Sequence, residues 1–262
     1  MLLGQIILIA VVLFFIRKID KRELKETGMF FNKLSILDFF AGCLITVFSV
    51  LSVILIYALL GSLGYKVIKS IDFNSLNDIN TIAWVSFGFV LFILVSIQEE
   101  LLCRGYMITD LLCTNRYLAI IFPAVIFSLM HLANPQFSFE GGTRTMNTII
   151  ALCNILIIGL ILGAYFLSSK NLWPLIGFHF AWNFIQGTIF GLNVSGIEMK
   201  GLMRISLSLK KSAAIFTGGA IGPEGSVVVL SVNIITALLF YMYFKLKKKI
   251  NFISFHNQAS NS

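Results

Sequence analysis

Charged residues are scarce in this sequence. Asp, Glu, Lys and Arg make up 12% of the 262 residues, whereas globular domains carry roughly 25%. Hydrophobic residues make up 58%, and a soluble fold of this size leaves about a quarter of its unfolded surface in water. The composition therefore excludes a soluble enzyme, a disordered chain and a disulfide scaffold. It favours an integral membrane protein, provided that the apolar residues come in runs of about 20.

Cysteine and several common motifs are also scarce or missing. The four cysteines lie in or beside apolar runs and none pairs as CxxC, which argues against a zinc finger and a disulfide framework. There is no HExxH, so the usual metalloprotease helix is excluded. The net charge of +8 comes without a basic patch interleaved with aromatic residues, and we therefore expect no nucleic-acid partner.

Apolar runs are what the chain has instead. No internal repeat and no linker rich in Pro, Gly or Ser divides them, so we predict one domain over residues 1–262. The predicted fold class is all-α, a polytopic transmembrane helical bundle of about seven spans, with six to eight compatible with the boundaries. The predicted core carrying the motifs covers about residues 82–195, and a basic cytoplasmic tail covers 245–262. The seven runs are residues 2–16, 35–60, 82–98, 118–133, 148–168, 174–193 and 225–244.

The positive charges predict an orientation in the lipid bilayer. The first run has no basic segment before it and no small-residue cleavage site after it, which indicates a retained anchor. Residues 17–34 hold six Lys/Arg and the tail after Phe244 holds four. Placing both segments in the cytoplasm requires an odd number of spans. Seven spans then put the N-terminus outside and the C-terminus in the cytoplasm, and the ends rich in Lys, Ile and Asn suggest a bacterial cell membrane.

Two acidic residues stand at the end of the third run. Ionisable side chains inside a bilayer are costly unless they are paired or face a polar cavity. In QEELLCRGYM, Glu100 and Arg104 are four residues apart, so on a helix they share a face and can form an ion pair. Glu99 lies about 100° round the helix. An unpaired carboxylate in an apolar site is suited to act as a general base near neutral pH.

The depth of these carboxylates depends on where the third helix ends. If it ends near residue 98, they cap the span at the membrane surface. If it runs from residue 82 to 113, the helix rises about 48 Å, which exceeds the roughly 30 Å hydrocarbon core. The helix would then tilt, bend or project, and the carboxylates would lie near its midpoint.

Two of the three histidines also lie in apolar runs. Phe127 and His131 end the fourth run as FSLMH, and His179 and Asn183 occur early in the sixth as HFAWN. A carboxylate and a histidine can polarise water, while a second histidine and an amide can donate hydrogen bonds to the oxyanion of a tetrahedral intermediate. Two histidines and a carboxylate could instead hold a metal ion with an open position.

Together these motifs resemble those of a known family of intramembrane proteases. EExxxR, FxxxH and HxxxN are the motifs of the CPBP family, also called the CAAX protease and bacteriocin-processing (Abi) family. Their order and approximate spacing match over about residues 82–195. The segment GGAIGPEG at 218–225 is also similar to segments of bacterial members. The resemblance implies an enzyme, a glutamic intramembrane protease that hydrolyses peptide bonds.

The resemblance also implies a role for each motif residue. Glu99 would activate water with help from His131. His179 and Asn183 would stabilise the oxyanion. The implied supporting residues are Glu100, Arg104 and Phe127.

Family properties further imply the cofactor and the partner. The family is usually treated as glutamate-type, so we expect no metal, with zinc as the alternative from its first description as metal-dependent. Eukaryotic members cleave prenylated CAAX proteins. Bacterial members are linked to maturation of bacteriocins or peptide pheromones and to self-immunity. The implied partner is a membrane-associated peptide or protein substrate.

Two other functions and one geometric question stay open. A non-catalytic immunity or regulatory protein could keep the same fold and motifs. A small transporter could relay protons through the intramembrane Glu and His, although the chain shows no pair of interrupted helices in corresponding halves. His131 closes its predicted span, whereas His179 lies five residues into a span of the same direction. Either the fourth helix is offset or the 134–147 loop re-enters the membrane.

Overall fold

The helices of this chain follow its apolar runs. The computed structural model describes residues 2–73 and 79–259, with side chains for all of these except residue 79 and residues 250–259. The single-domain prediction also covers residues 1, 74–78 and 260–262, which lie outside the described residues. In chain order the elements are α1 Leu2–Phe14, α2 Lys33–Ser62, β1 Ile68–Asp72, α3 Ile79–Glu100, α4 Arg116–Met130, α5 Gly142–Ser169, α6 Trp173–Asn183, β2 Arg204–Leu207, α7 Lys211–Thr217 and α8 Val227–Ala259.

Six stretches of helix in the described ranges are long and apolar enough to cross a membrane. They confirm the predicted all-α, polytopic membrane bundle. The sixth predicted span, residues 174–193, is shorter than expected: α6 has 11 residues and a π-helical extension, Phe184–Ile189, adds six. That length is at the lower limit for a crossing helix. The orientation of the termini rested on an odd number of crossings and stays a prediction. The six stretches are Leu2–Ile19, Lys33–Ser62, Asn80–Leu111, Arg116–Ala133, Gly142–Ser169 and Val227–Lys249.

The third helix decides between the two depths considered for the carboxylates. It continues without a break beyond Glu100, first as π-helical turns over Leu101–Ile108 and then as an α-helical turn to Leu111. The alternative in which it ends near residue 98 is therefore wrong. Glu99 and Glu100 lie just past the midpoint of the 32-residue stretch Asn80–Leu111. The π-helical turns that follow them are a distortion found frequently at functional sites.

Two glycines let α2 and α6 touch. A Cβ atom added at Gly42 would lie 1.9 Å from the carbonyl oxygen of Pro174, and one at Gly177 would lie 2.0 Å from that of Phe39. Backbones approach this closely only where small residues meet. Gly177 precedes His179 by two residues, so the crossing holds the histidine-bearing part of α6 at a fixed height.

The GxxxG motif in the fifth run packs α5 against α4. A Cβ atom at Gly159 would lie 3.1 Å from the Cβ of Ala124, and one at Gly163 would lie 3.3 Å from a methyl group of Ile120. Close packing of small residues is what this motif predicts in a membrane. The guanidinium of Arg104 also packs against Gly159, because its Nη2 would be 3.6 Å from a Cβ atom at this position.

Hydrogen bonds to Asp38 connect three parts of the bundle. The residue lies in α2 and is 3% exposed. It accepts hydrogen bonds from Asn171 Nδ2 at 2.6 Å, from the Tyr243 hydroxyl at 2.5 Å and from Lys247 Nζ. These partners lie in the segment before α6 and on α8. The predicted basic tail begins inside α8, which continues as a helix to Ala259.

A two-stranded antiparallel sheet was not predicted from the sequence. Ile71 of β1 pairs with Ile205 of β2, and Asp72 pairs with Arg204. The two strands lie in the segments that connect α2 to α3 and α6 to α7. No local pattern could pair them, because their partners are far apart in the chain. The sheet lies where the chain leaves its apolar helices.

Candidate active site

One cavity brings the predicted site residues together. It has a volume of about 280 Å³ and lies between α3, α4, α5, α6 and α8. Arg104, the remaining predicted residue, does not line the cavity but contacts Glu100, which does. Three separate apolar runs thus supply one site. The six predicted residues that line the cavity are Glu99, Glu100, Phe127, His131, His179 and Asn183.

Glu100 and Arg104 form a buried ion pair. Arg104 Nη1 donates to Glu100 Oε1 at 2.9 Å, and the two side chains are 1% and 0% exposed. The guanidinium also lies 4.4 Å from the centre of the Phe127 ring, which adds a cation–π contact. Among the described residues, Glu100 Oε2 and Arg104 Nη2 have no hydrogen-bond partner. The ion pair predicted from the spacing is therefore present at the cavity wall.

His179 lies between the two glutamates. Its Nδ1 donates to Glu100 Oε1 at 2.9 Å, and its Nε2 is 3.5 Å from Glu99 Oε2. An ionised carboxylate only accepts hydrogen bonds, so the contact with Glu100 fixes a proton on Nδ1. The Glu99 side chain is 21% exposed, whereas that of Glu100 is fully buried. Glu99 is thus the carboxylate that reaches the open part of the cavity.

His131 joins this group from the end of α4. Its Nδ1 donates to the backbone carbonyl of Phe127 at 2.8 Å, one turn earlier. That bond leaves Nε2 as the basic nitrogen of the neutral ring. The Phe127 ring contacts both imidazoles, with centroid distances of 5.0 Å to His131 and 6.1 Å to His179. Phe127 therefore packs between the motifs as well as within its own.

The two histidines reach one cavity because α6 begins inside the bundle. Asn171 and Leu172, which precede α6, are 3% and 0% exposed. His179 is therefore deep although it is only the seventh residue of the helix. His131 lies where α4 gives way to a short 3-10 turn. The offset fourth helix and the re-entrant 134–147 loop, the two explanations considered from the sequence, both stay predictions.

Asn183 completes the group on α6. It is 8% exposed, lies one turn after His179 and lines the cavity. Its side chain makes no hydrogen bond with the described residues, so its amide N–H groups are available to a ligand. The helix widens into π-helical turns directly after Asn183, as α3 does after Glu100.

Comparison with known protein families agrees with this geometry. Residues 81–185 match the family model described as type II CAAX prenyl endopeptidase Rce1-like. The match covers 105 of the 262 residues, and over this segment the chain is similar to that family. By its description, that family consists of proteases, that is, peptide hydrolases. No curated protein and no solved structure gives a significant match to the chain.

The cavity also holds a third carboxylate, outside the matched segment. Glu224 is 6% exposed and lines the cavity. It accepts hydrogen bonds from Gln186 Nε2 at 2.8 Å and from Trp182 Nε1 at 3.3 Å. Burial raises the pKa of the Glu224 carboxyl, whereas the hydrogen bond from Gln186 lowers it. No Lys, Arg or His pairs with Glu224 in the described part of the chain.

Sequence reasoning missed Glu224 and also missed Gln5. The GPEG segment was singled out only for its similarity to bacterial members, because the partners of Glu224 lie 38 and 42 residues away, on α6 and its π-helical extension. Gln5 lines the same cavity, and its buried Oε1 has no partner among the described residues. A lone amide in the apolar run LLGQIILIAVVLF is a signal by the same rule that selected Glu99.

The glutamates and histidines of the cavity raise the question of a metal ion. Catalytic zinc takes three protein ligands and keeps one position for water. Within the described ranges, no group of three or more His, Cys, Asp or Glu side chains has a spacing that could hold a metal ion. The zinc alternative therefore lacks a preformed ligand set in this cavity. Metal-independent hydrolysis stays a prediction for biochemical test.

Proposed function

We propose that this protein is a CAAX-type intramembrane endopeptidase in which Glu99 and His131 activate a water molecule. Glu99 suits the role of general base because its side chain reaches the open cavity, while Glu100 is engaged by Arg104 and His179. Glu99 takes a proton as the water oxygen attacks the carbonyl carbon of the peptide. His131 Nε2 accepts a hydrogen bond from the second O–H of the water and orients the molecule, and this hydrogen stays on the oxygen. No serine or cysteine nucleophile is required.

His179 and Asn183 then stabilise the oxyanion. Both lie on one face of α6, and the Asn183 amide has free donors. His179 donates from Nε2 when both ring nitrogens carry protons, an arrangement in which Glu100 and Glu99 each face one N–H. A single preorganised donor of this kind contributes about 10²–10³-fold in rate. As the C–N bond breaks, Glu99 returns its proton to the leaving amine.

The observation that carries the proposal is the shared cavity. It combines one partly exposed carboxylate, two imidazoles and one free amide in an otherwise apolar surrounding of side chains such as Leu91, Phe92 and Met130. Such walls suit an extended apolar peptide delivered from the bilayer. We propose a membrane-associated substrate, either a prenylated protein or a peptide precursor.

A cleavage assay with candidate membrane substrates tests this function. Glu99→Ala and His131→Ala should each lower the cleavage rate by about 10²–10⁴-fold, since each removes a group that acts on the water. Glu140→Ala, which removes an exposed loop carboxylate, serves as the matched control and should cleave normally. If both site variants cleave at the wild-type rate, the assignment is wrong. If Glu99→Gln preserves the cellular phenotype, the non-catalytic immunity or regulatory function is favoured instead.

A further inference from the structure

The sheet of β1 and β2 stands between two depressions that the proposed function does not use. One is a polar cleft of about 900 Å³, and the other is an apolar groove of about 230 Å³. Ile68, Leu192, Ile205 and Leu207 line both of them. The two depressions therefore share a wall at the sheet, and one ligand with a polar end and an apolar end can reach both.

The cleft carries an excess of positive charge. Lys66, Lys69, Arg204 and Lys210 line it, and Glu198 is the acidic residue among its described lining residues. The three lysines are exposed, and none has an acidic partner within 4 Å in the described part of the chain. Cations gathered in one cleft raise its potential and attract an anion. The polar end of a matching ligand is therefore negative.

The groove follows α2 into its apolar span. Val50, Val53, Ile54 and Tyr57 of α2 form one wall, opposite side chains of the sheet. Because α2 ends at Ser62, Val50 lies about 18 Å below the end of the helix. One leaflet of the hydrocarbon core is about 15 Å deep. With the end of α2 placed at the edge of the hydrocarbon core, the groove reaches about as deep as one leaflet, and the cleft lies at the level of the lipid headgroups.

We propose that the cleft and the groove together bind one anionic phospholipid of the bilayer. Its phosphate lies among Lys66, Lys69 and Lys210, and one acyl chain runs along α2. A small anion would leave the apolar groove unfilled, and an uncharged lipid would leave the lysines unneutralised. Trp182 lines both this groove and the reaction cavity, so the bound chain contacts the helix that carries His179. The inference goes beyond the proposed function and does not depend on it.

Lipid retention by the full-length protein tests the charged end of this site. The probe is phosphatidylglycerol, compared with phosphatidylcholine, carried through purification from mixed vesicles and counted by native mass spectrometry. Replacing Lys66, Lys69 and Lys210 together with Gln should lower phosphatidylglycerol retention at least about tenfold, because each lysine contributes to binding an anionic headgroup. The control replaces the same number of lysines elsewhere, at Lys245, Lys248 and Lys249, and should retain the lipid. Equal loss in both triple variants, or equal retention of the two lipids by the wild type, overturns the proposal.

A second pair of variants tests the apolar end. Ile54→Trp places a large ring in the groove, whereas Leu55→Trp places one on the adjacent, 60% exposed face of α2. Ile54→Trp should lower phosphatidylglycerol retention several-fold and Leu55→Trp should not. Retention by Ile54→Trp equal to that of the wild type overturns the phospholipid site, since the lysines would then bind an anion without its chain. Displacement of the lipid by an equal concentration of soluble glycerol phosphate has the same meaning.

Discussion

Two buried carboxylates in this bundle pair with cations, yet their surroundings differ. Asp38 accepts hydrogen bonds from Lys247, Tyr243 and Asn171, which lie on two other parts of the chain. Glu100 accepts from Arg104 of its own helix and from His179 of α6. Glu100 lines the reaction cavity and Asp38 does not. One carboxylate joins helices, and the other orients a ring that faces an open space.

An acidic residue in an apolar run is therefore not by itself a sign of catalysis. Asp38 lies in the run 35–60 just as Glu99 and Glu100 follow the run 82–98. The rule that treats intramembrane ionisable residues as functional would select all three. What separates them is the number of partners and access to a cavity, and both depend on the tertiary fold.

Glu100→Gln should have the largest effect on stability. Glu100 belongs to a buried ion pair, as Asp38 does, and it also lines the reaction cavity. Arg104 is 1% exposed and would keep its charge without a counterion. Breaking a buried pair in this way costs about 3–5 kcal/mol of unfolding free energy. Cleavage should fall as well, because His179 loses a charged acceptor. Denaturant unfolding in detergent and the cleavage assay measure the two effects.

A double variant separates these two consequences of Glu100→Gln. Adding Arg104→Met removes the orphaned charge, so stability should return towards the wild-type value. Activity should stay low in the double variant, because His179 still lacks its carboxylate. A single Glu100→Gln variant that unfolds like the wild type would contradict the buried ion pair.

Asp38→Asn tests the carboxylate that joins helices without lining the cavity. Lys247 is 28% exposed and can turn towards water when its partner loses charge, so the expected loss is smaller, about 1–3 kcal/mol. Cleavage per folded molecule should stay close to the wild-type rate, since Asp38 does not line the cavity. A variant that keeps full stability but loses cleavage would place Asp38 in the catalytic group instead.

Glu224→Gln tests whether the third carboxylate acts on the site through α6. Its partners Trp182 and Gln186 flank Asn183, so we expect kcat to fall by roughly tenfold with little change in KM, as for loss of an interaction made in the transition state. The same substitution in an Asn183→Ala background should add little, because coupled residues are not additive. Ser195→Ala removes only a 3.5 Å contact with Glu224 and serves as the control. A tenfold loss in both backgrounds would contradict action through Asn183.

Metal removal should have the smallest effect of all. The proposed chemistry activates water with Glu99 and His131 and needs no Lewis acid. Prolonged treatment with a zinc chelator should therefore leave cleavage unchanged, and added zinc should not raise it. Loss of activity on chelation, with recovery on adding zinc, would establish the metal-dependent alternative.

Much of the site was predictable because its spacing is local. Glu100 and Arg104 pair at i, i+4, and His179 and Asn183 share a helix face, as their positions in the sequence indicate. The proximity of His131 and His179 could not be predicted from the sequence, because it depends on α6 starting below the bundle surface. Glu224 was missed for a similar reason, since its donors lie on another helix.

In the fold too, features within one segment of the chain could be predicted, whereas contacts between distant segments could not. Hydrophobic runs predicted the long helices, and Gly159 and Gly163 form a local GxxxG pattern that is typical of close helix contacts. The crossing at Gly42 and Gly177 has no pattern within either helix, since each glycine meets the backbone of the other helix. The β1–β2 pairing likewise joins distant segments.

Glu99, and not a residue elsewhere, is proposed as the base that activates water. The most direct measurement compares cleavage by wild-type protein and by Glu99→Gln, which keeps the shape of the side chain and removes its basicity. We predict a loss of at least about 10²-fold in kcat, with an unfolding midpoint close to that of the wild type because Glu99 is partly exposed. Cleavage by Glu99→Gln at the wild-type rate would contradict this account.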